Sequence, residues 1–220
     1  MPAMKRLFVT GNSAGLGLGL SEVFLDHGWD VYGCSRRGCA LPLVHDARCD
    51  LSDPGRMGGA LEDLLKGVGR LDLVILNAGV AGEVGPISQS SLDGLRGIFE
   101  LNLWANKRLL DWLMGSGIQI DQIVLISSDS LELADKGWGG CALSKAALNT
   151  LVRLYALELP GVHFCAVAPG LISSSAEAAA ERIFKLLPHL REYESGSFIN
   201  IRRILAPDEY ERLMDVSMPT

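Results

Sequence analysis

Cys141 and Lys145 stand at i and i+4 in "GGCALSKAAL" (139–148). On a helix that spacing puts a thiol and an amine on the same face. A thiol beside an ammonium is a candidate nucleophile, able to add to a carbonyl as a thiohemiacetal or to form a thioester. A second candidate is the glycine-rich stretch "VTGNSAGLGLGL" (9–20), with Gly11, Gly15 and Gly17 following an apolar run that ends at Thr10. Glycines there permit a tight turn and let backbone N–H groups and a helix N-terminus come close to a pyrophosphate. The phosphate cradle then comprises Gly11, Asn12, Ser13, Gly15, Leu16 and Gly17. The context supports it: a strand before, a helix after with Leu16, Leu20, Val23 and Phe24 at helical spacing, and a second strand about 20 residues on.

The elements that must position these groups alternate along the chain. Strands are expected at 6–10, 30–34, 42–47, 71–76, 122–127, 162–168 and 197–201. Helical patterns fall near 15–27, 53–67, 88–115, 138–158 and 175–189, with a final short helix at 208–215. Several of the strands are continuous Val/Ile/Leu runs, which indicates a parallel sheet buried on both faces. The expected fold is α/β: a Rossmann-type, doubly wound parallel sheet of about seven strands, helices on both faces, in a single domain over 1–220.

Composition narrows the function classes. The 220 residues are 48% hydrophobic and carry a formal charge of −6, which argues against a nucleic-acid surface. No apolar run approaches the roughly 20 residues of a membrane span, and the N-terminus lacks signal-peptide features. A soluble cytoplasmic protein is the expectation. Five cysteines without paired spacing read as reduced thiols, with Cys34, Cys49 and Cys165 packed in or beside strands. The four histidines lack metal-ligand spacing, so no metal site is expected.

The spacing T-G-x-x-x-G-x-G resembles that of the short-chain dehydrogenase/reductase family, and five further segments agree in order. "LNAG" (76–79) is similar to the family's N-N-A-G, through Asn77, Ala78 and Gly79. "CDLSD" (49–53) supplies Asp50 and Leu51 where the family flanks adenine. "ELNLWA" (100–105) resembles the helix that carries the family's asparagine, here Asn102. In "VLISSDS", Ser128 lies thirteen positions before Cys141, as the family's serine lies before its tyrosine. "VAPGLISSS" (167–175) resembles the P-G-x-x-x-T segment that holds the nicotinamide, with Pro169, Gly170 and Ile172 in it and Ser174 in the threonine's place.

Where NAD-preferring relatives carry an aspartate, this chain reads Cys34-Ser35-Arg36-Arg37. An acidic side chain would repel a 2′-phosphate, whereas guanidinium forks suit one. NADP(H) is therefore expected over NAD(H), with Arg36 the main contact and Ser35 and Arg37 beside it.

The resemblance implies a catalytic set of Asn102, Ser128 and Lys145, with Cys141 at the tyrosine's position. In the family the tyrosine protonates the carbonyl oxygen as hydride leaves the nicotinamide. Tyr155 lies roughly four turns along the same helix and cannot replace it. A thiol is by nature more acidic than a phenol, about 8.5 against about 10, so reach is the obstacle, since sulfur stops about a ring's length short. Water filling that space is one answer. An NADP(H)-dependent oxidoreductase with an atypical donor, a dinucleotide binder without turnover, and non-redox or thiol-nucleophile chemistry all remain open at this point. The lid that relatives insert after the P-G-x-x-x-T segment is nearly absent, because residue 174 runs almost directly into a helix with Ser175 as its cap. Leu131, Leu133 and Trp138 are expected to line the pocket. Apolar faces on 88–115 and 138–158 imply a homodimer or homotetramer.

Overall fold

Apolar runs long enough for a strand but too short for a helix build the centre of the molecule. The computed structural model describes residues 4–129, 137–170, 175–205 and 208. In it, β1 (Arg6–Thr10) leads through α1 (Gly15–Asp26) to β2 (Asp30–Ser35) and β3 (His45–Arg48). After α2 (Pro54–Leu64) come β4 (Arg70–Leu71) and β5 (Leu73–Leu76), then α3 (Leu92–Phe99), a π turn (Glu100–Trp104) and α4 (Ala105–Gly115). The chain continues through β6 (Gln119–Ile120), β7 (Gln122–Ile126), α5 (Gly139–Glu158), β8 (His163–Ala168), α6 (Ala176–Leu190), β9 (Ser197–Asn200) and α7 (Ile201–Leu205).

Seven of these strands form one parallel sheet in the order β3-β2-β1-β5-β7-β8-β9, the expected doubly wound α/β fold. Alternation along β1 shows why both faces are buried. Phe8 points into a layer with Leu61, Leu109, Leu148 and Phe164, while Leu7 and Val9 join Leu20, Phe24 and Ile183 on the other side. The strand order reverses between β1 and β5, and a crevice opens there at the strands' C-terminal ends, the usual ligand position in such sheets.

Departures from the sequence reading have local causes. The expected strand 71–76 divides at Asp72, whose carboxylate accepts from the Arg6 N–H at 2.8 Å; Arg70–Leu71 peel away to pair with Gln119–Ile120. The strand expected from Pro42 begins only at His45, because Pro42 has no N–H and Val44 is held in a turn by Leu41. Asn200 Oδ1 accepts from Arg202 N–H at 3.0 Å, which ends β9 and starts α7 one residue early. The long helix expected at 88–115 starts at Leu92, capped by Ser91 Oγ, and is interrupted by the π turn. Most of the helix expected at 208–215 lies outside the described residues.

Candidate active-site cleft

A cleft of about 480 Å³ occupies the crevice at the ends of β1, β2, β5 and β7. Its first wall is the glycine loop. Gly11 has φ +73 and its N–H donates to Cys34 carbonyl at 2.8 Å, locking the turn to β2. A Cβ on Gly17 would stand 2.2 Å from Gly11 carbonyl oxygen, so only glycine lets the start of α1 fold back on the loop. Gly15, at φ +54, has nothing within 4 Å of where a Cβ would be. This is a cradle of backbone with free space before it, which suits a pyrophosphate. Ser13 and Leu16 also line it. Asn12 does not: it is fully buried behind the loop, its Nδ2 donating to Asp46 Oδ1 at 2.7 Å. Gly33 lies so close that a Cβ there would meet Asn12 Nδ2 at 2.2 Å. Asn12 thus ties the glycine loop across Gly33 of β2 to Asp46 of β3, and Gly17 is likewise buried rather than on the cleft surface.

The loop after β5 is pinned to β1 through a residue whose part the sequence reading missed. Thr10 Oγ1 accepts the N–H groups of both Asn77 and Ala78 at 3.0 Å, and Asn77 Nδ2 donates to Thr10 carbonyl at 3.0 Å. A buried threonine at a strand's last position, beside a glycine turn, was the available signal. Asn77, Ala78 and Gly79 line the cleft as a result.

At one end of the cleft Ser35, Arg36, Arg37, Asp50 and Leu51 come together from the ends of β2 and β3. Ser35 Oγ accepts from Gly38 N–H at 3.1 Å and closes the turn that presents the two arginines. Asp50 accepts from Ser52 Oγ at 2.6 Å and from Ser52 N–H at 3.0 Å, which holds its carboxyl below the usual range.

At the other end α5 presents Cys141 and Lys145, both lining the cleft and both largely buried, at 8% and 7% exposure. Burial pushes the Lys145 ammonium down to about 8, with the neighbouring Cys141 acting in the opposite direction. Lys145 Nζ donates to Ile126 carbonyl. Ser128 lines the same end, while its neighbour Ser127 is clamped by Asn149 Oδ1 at 2.7 Å and by Val167 carbonyl at 2.8 Å. Asn102 sits in the π turn and is wholly buried, off the cleft surface. Its Oδ1 accepts from Val80 N–H, and its Nδ2 donates to Val80 carbonyl, each at 2.8 Å, and to Ser144 Oγ at 2.9 Å. Asn102 therefore ties the loop after Gly79 to α5. A Cβ on Gly79 would come within 3.0 Å of Asn102 Oδ1 and 3.5 Å of Lys145 Nζ.

Some expected lining residues are not brought to the cleft, and others lie outside the described residues. Pro169 and Gly170 do not line the cleft; Gly170, at φ +75, packs against Arg202, whose guanidinium pairs with Asp129 at 3.3 Å. Trp138 is 38% exposed at the start of α5 and is not among the lining residues. Ile172, Ser174, Leu131 and Leu133 lie outside the described residues. Tyr155 does point away, its hydroxyl donating to Asp111 between α5 and α4. Ser175 caps α6 by accepting from Ala178 N–H at 3.2 Å, so that helix begins at once after residue 175. Among the described residues no helix is long and apolar enough to cross a membrane.

Comparison with known proteins agrees with this geometry. The family model described as short chain dehydrogenase matches residues 5–183. The chain is 28% identical over 193 residues to benzil reductase ((S)-benzoin forming) of Saccharomyces cerevisiae, covering 79% of this chain and 73% of that one. It is 30% identical over 189 residues to the NADPH-dependent 3-dehydrocapnine reductase of Ornithobacterium rhinotracheale, covering 78% and 66%. Among solved structures, ElxO with NADP bound superposes with a TM-score of 0.78 at 19% identity, over 90% of this chain and 97% of that one.

Proposed function

The chain belongs to the short-chain dehydrogenase family and is a short-chain oxidoreductase, and from that premise we propose an NADP(H)-dependent enzyme of carbonyl/alcohol pairs whose proton donor is Cys141 or a water beside it. One observation carries the reading. A single cleft runs from Arg36 and Arg37 at one end to Cys141, Lys145 and Ser128 at the other.

When bound, the nicotinamide supplies or accepts a hydride. The chain's own residues do the rest. Backbone N–H groups of the glycine loop take the pyrophosphate, and Ser35, Arg36 and Arg37 take the 2′-phosphate, for which an acidic side chain would be repulsive. Two relatives point the same way: the 3-dehydrocapnine reductase is NADPH-dependent, and ElxO holds NADP. Lys145, with a pKa of about 8, carries its proton through the neutral range and orients the ribose. Ser128 positions the substrate oxygen. Cys141 Sγ stops short of that oxygen, and a water held by Ser128 and Lys145 fills the gap and passes the proton. Asn102 acts one step back, by fixing Val80 and Ser144. The exposed Trp104, Leu154 and Leu157 on the π turn and α5 make these helices the natural homodimer face.

The test is NADPH binding by fluorescence followed by NADPH consumption against aldehydes, ketones and quinones. Consumption is expected in the natural protein, rising in Cys141→Tyr by about 10²–10⁴-fold, the usual worth of a positioned general acid. Tight binding with no turnover in either protein would refute the redox reading, and no NADPH binding would refute the cofactor.

A further inference from the structure

Two thiols that the proposed reaction does not use lie side by side in the floor of the cleft. In the parallel register of β2 and β3, Cys34 faces Ala47 and Ser35 faces Arg48. Cys49, two residues past Ala47, is therefore the diagonal neighbour of Cys34 on the same face of the sheet. Both belong to the core layer that contains Met57 and Leu61, and both line the cleft. Their places in the chain matter more than their burial. Cys34 immediately precedes Ser35, Arg36 and Arg37, and Cys49 immediately precedes Asp50 and Leu51. Every side chain at the adenosine end thus follows directly from one thiol or the other.

We propose that Cys34 and Cys49 are a peroxide-oxidised pair whose reversible disulfide switches dinucleotide binding, an inference that rests on reading this cleft as the dinucleotide site. The Cys49 thiolate attacks peroxide, the O–O bond breaks, and Cys49 becomes a sulfenic acid as the leaving oxygen takes a proton and departs as water. Cys34 sulfur then attacks Cys49 sulfur; the S–O bond breaks, the S–S bond forms, and the Cys34 proton leaves with a second water. Two thiols are oxidised and one peroxide is reduced. The roles follow from surroundings. Interaction with Cys34 holds the Cys49 thiol down, while that same interaction, followed by burial, pushes Cys34 well up. Cys49 is the thiol that reacts first and Cys34 the one that resolves it.

Closing the bond has a mechanical result. Diagonal neighbours in a sheet have Cα atoms roughly 7–8 Å apart, beyond the usual disulfide span of about 4.4–6.8 Å. Oxidation must therefore pull the ends of β2 and β3 together and displace the turn that presents the arginines. A dinucleotide bound in this cleft, which both thiols line, would slow the oxidation.

The experiment treats the reduced protein with hydrogen peroxide, with and without NADPH, and follows intact mass, disulfide-mapped peptides and NADPH affinity by fluorescence. The expected result is loss of two hydrogen masses, a peptide joining Cys34 to Cys49, protection by NADPH, and affinity weakened by at least about tenfold and restored by dithiothreitol. Cys34→Ala and Cys49→Ala should each abolish the two-hydrogen loss. Absence of the bond, its persistence in either variant, or pairing of Cys34 with the nearby Cys39 instead would overturn the proposal. A bond that leaves NADPH affinity unchanged would overturn the switch while sparing the cofactor reading. Reduced protein that does not bind NADPH would overturn both.

Discussion

The two ends of the cleft are built by different means. The glycine loop is held by backbone: a left-handed Gly11, a helix start pressed on its carbonyl, and the buried brace of Asn12 on Asp46. The end at α5 is held by side chains: Asn102 ties Val80 in the loop after Gly79 to Ser144, and Lys145 ties α5 to Ile126 carbonyl at the end of β7. A backbone site tolerates change in most of its side chains and fails at a few glycines. A side-chain site is tuned by single residues, so replacing one changes the chemistry without disturbing the fold.

The largest effect that would test this contrast is at Lys145. Lys145→Met should lower turnover by about 10²–10⁴-fold while making the protein more stable. The ammonium has a pKa of about 8 in the fold against an ordinary 10.5. Between those values the unfolded chain binds more protons, so stability rises with pH across that window; below about pH 8 the burial penalty is fully present, about 3 kcal/mol. Removing the charge recovers that at pH 7, less about 1 kcal/mol for the lost bond to Ile126 carbonyl. Urea unfolding at pH 7 and again above pH 10 checks it, with the gain expected to vanish at the higher pH. A variant that is inactive and also less stable at pH 7 would show that Lys145 is part of the frame as well as the chemistry.

Gly17→Ala should do the reverse, costing about 1–3 kcal/mol of stability because its Cβ meets the Gly11 carbonyl rather than a movable side chain. NADPH affinity should fall in step, and unfolding and binding titrations would read both. Equal stability with normal affinity would mean that the loop is not a rigid backbone cradle. The smallest change expected is Arg36→Ala, which should weaken NADPH by about 10–100-fold, the worth of one charged hydrogen bond, and leave NADH alone. Parallel loss for both cofactors would move the arginine from the phosphate to a general structural part.

The same contrast explains what the sequence disclosed. The glycine loop and the end with Arg36 and Arg37 were legible because glycines and paired arginines at strand ends carry their physics in residue type. Asn12 was misplaced for the same reason: a polar residue inside a glycine loop reads as a phosphate contact until Gly33 leaves room for it behind the loop. At the other end Cys141, Lys145 and Ser128 were found, but Asn102 and Ser144 interlock across 42 positions, a contact no local pattern encodes. The π turn was invisible too, since its residues fit an ordinary helical stripe. Pro169 and Gly170 do not line the cleft, and Gly170 packs against Arg202, which reaches Asp129 from far along the chain.

That last pairing bears on how the enzyme is made. Asp129 follows Ser128 directly, and its partner Arg202 arrives just after the last strand of the sheet. A nascent chain therefore lacks this tether of its serine loop until residue 202 has been synthesised.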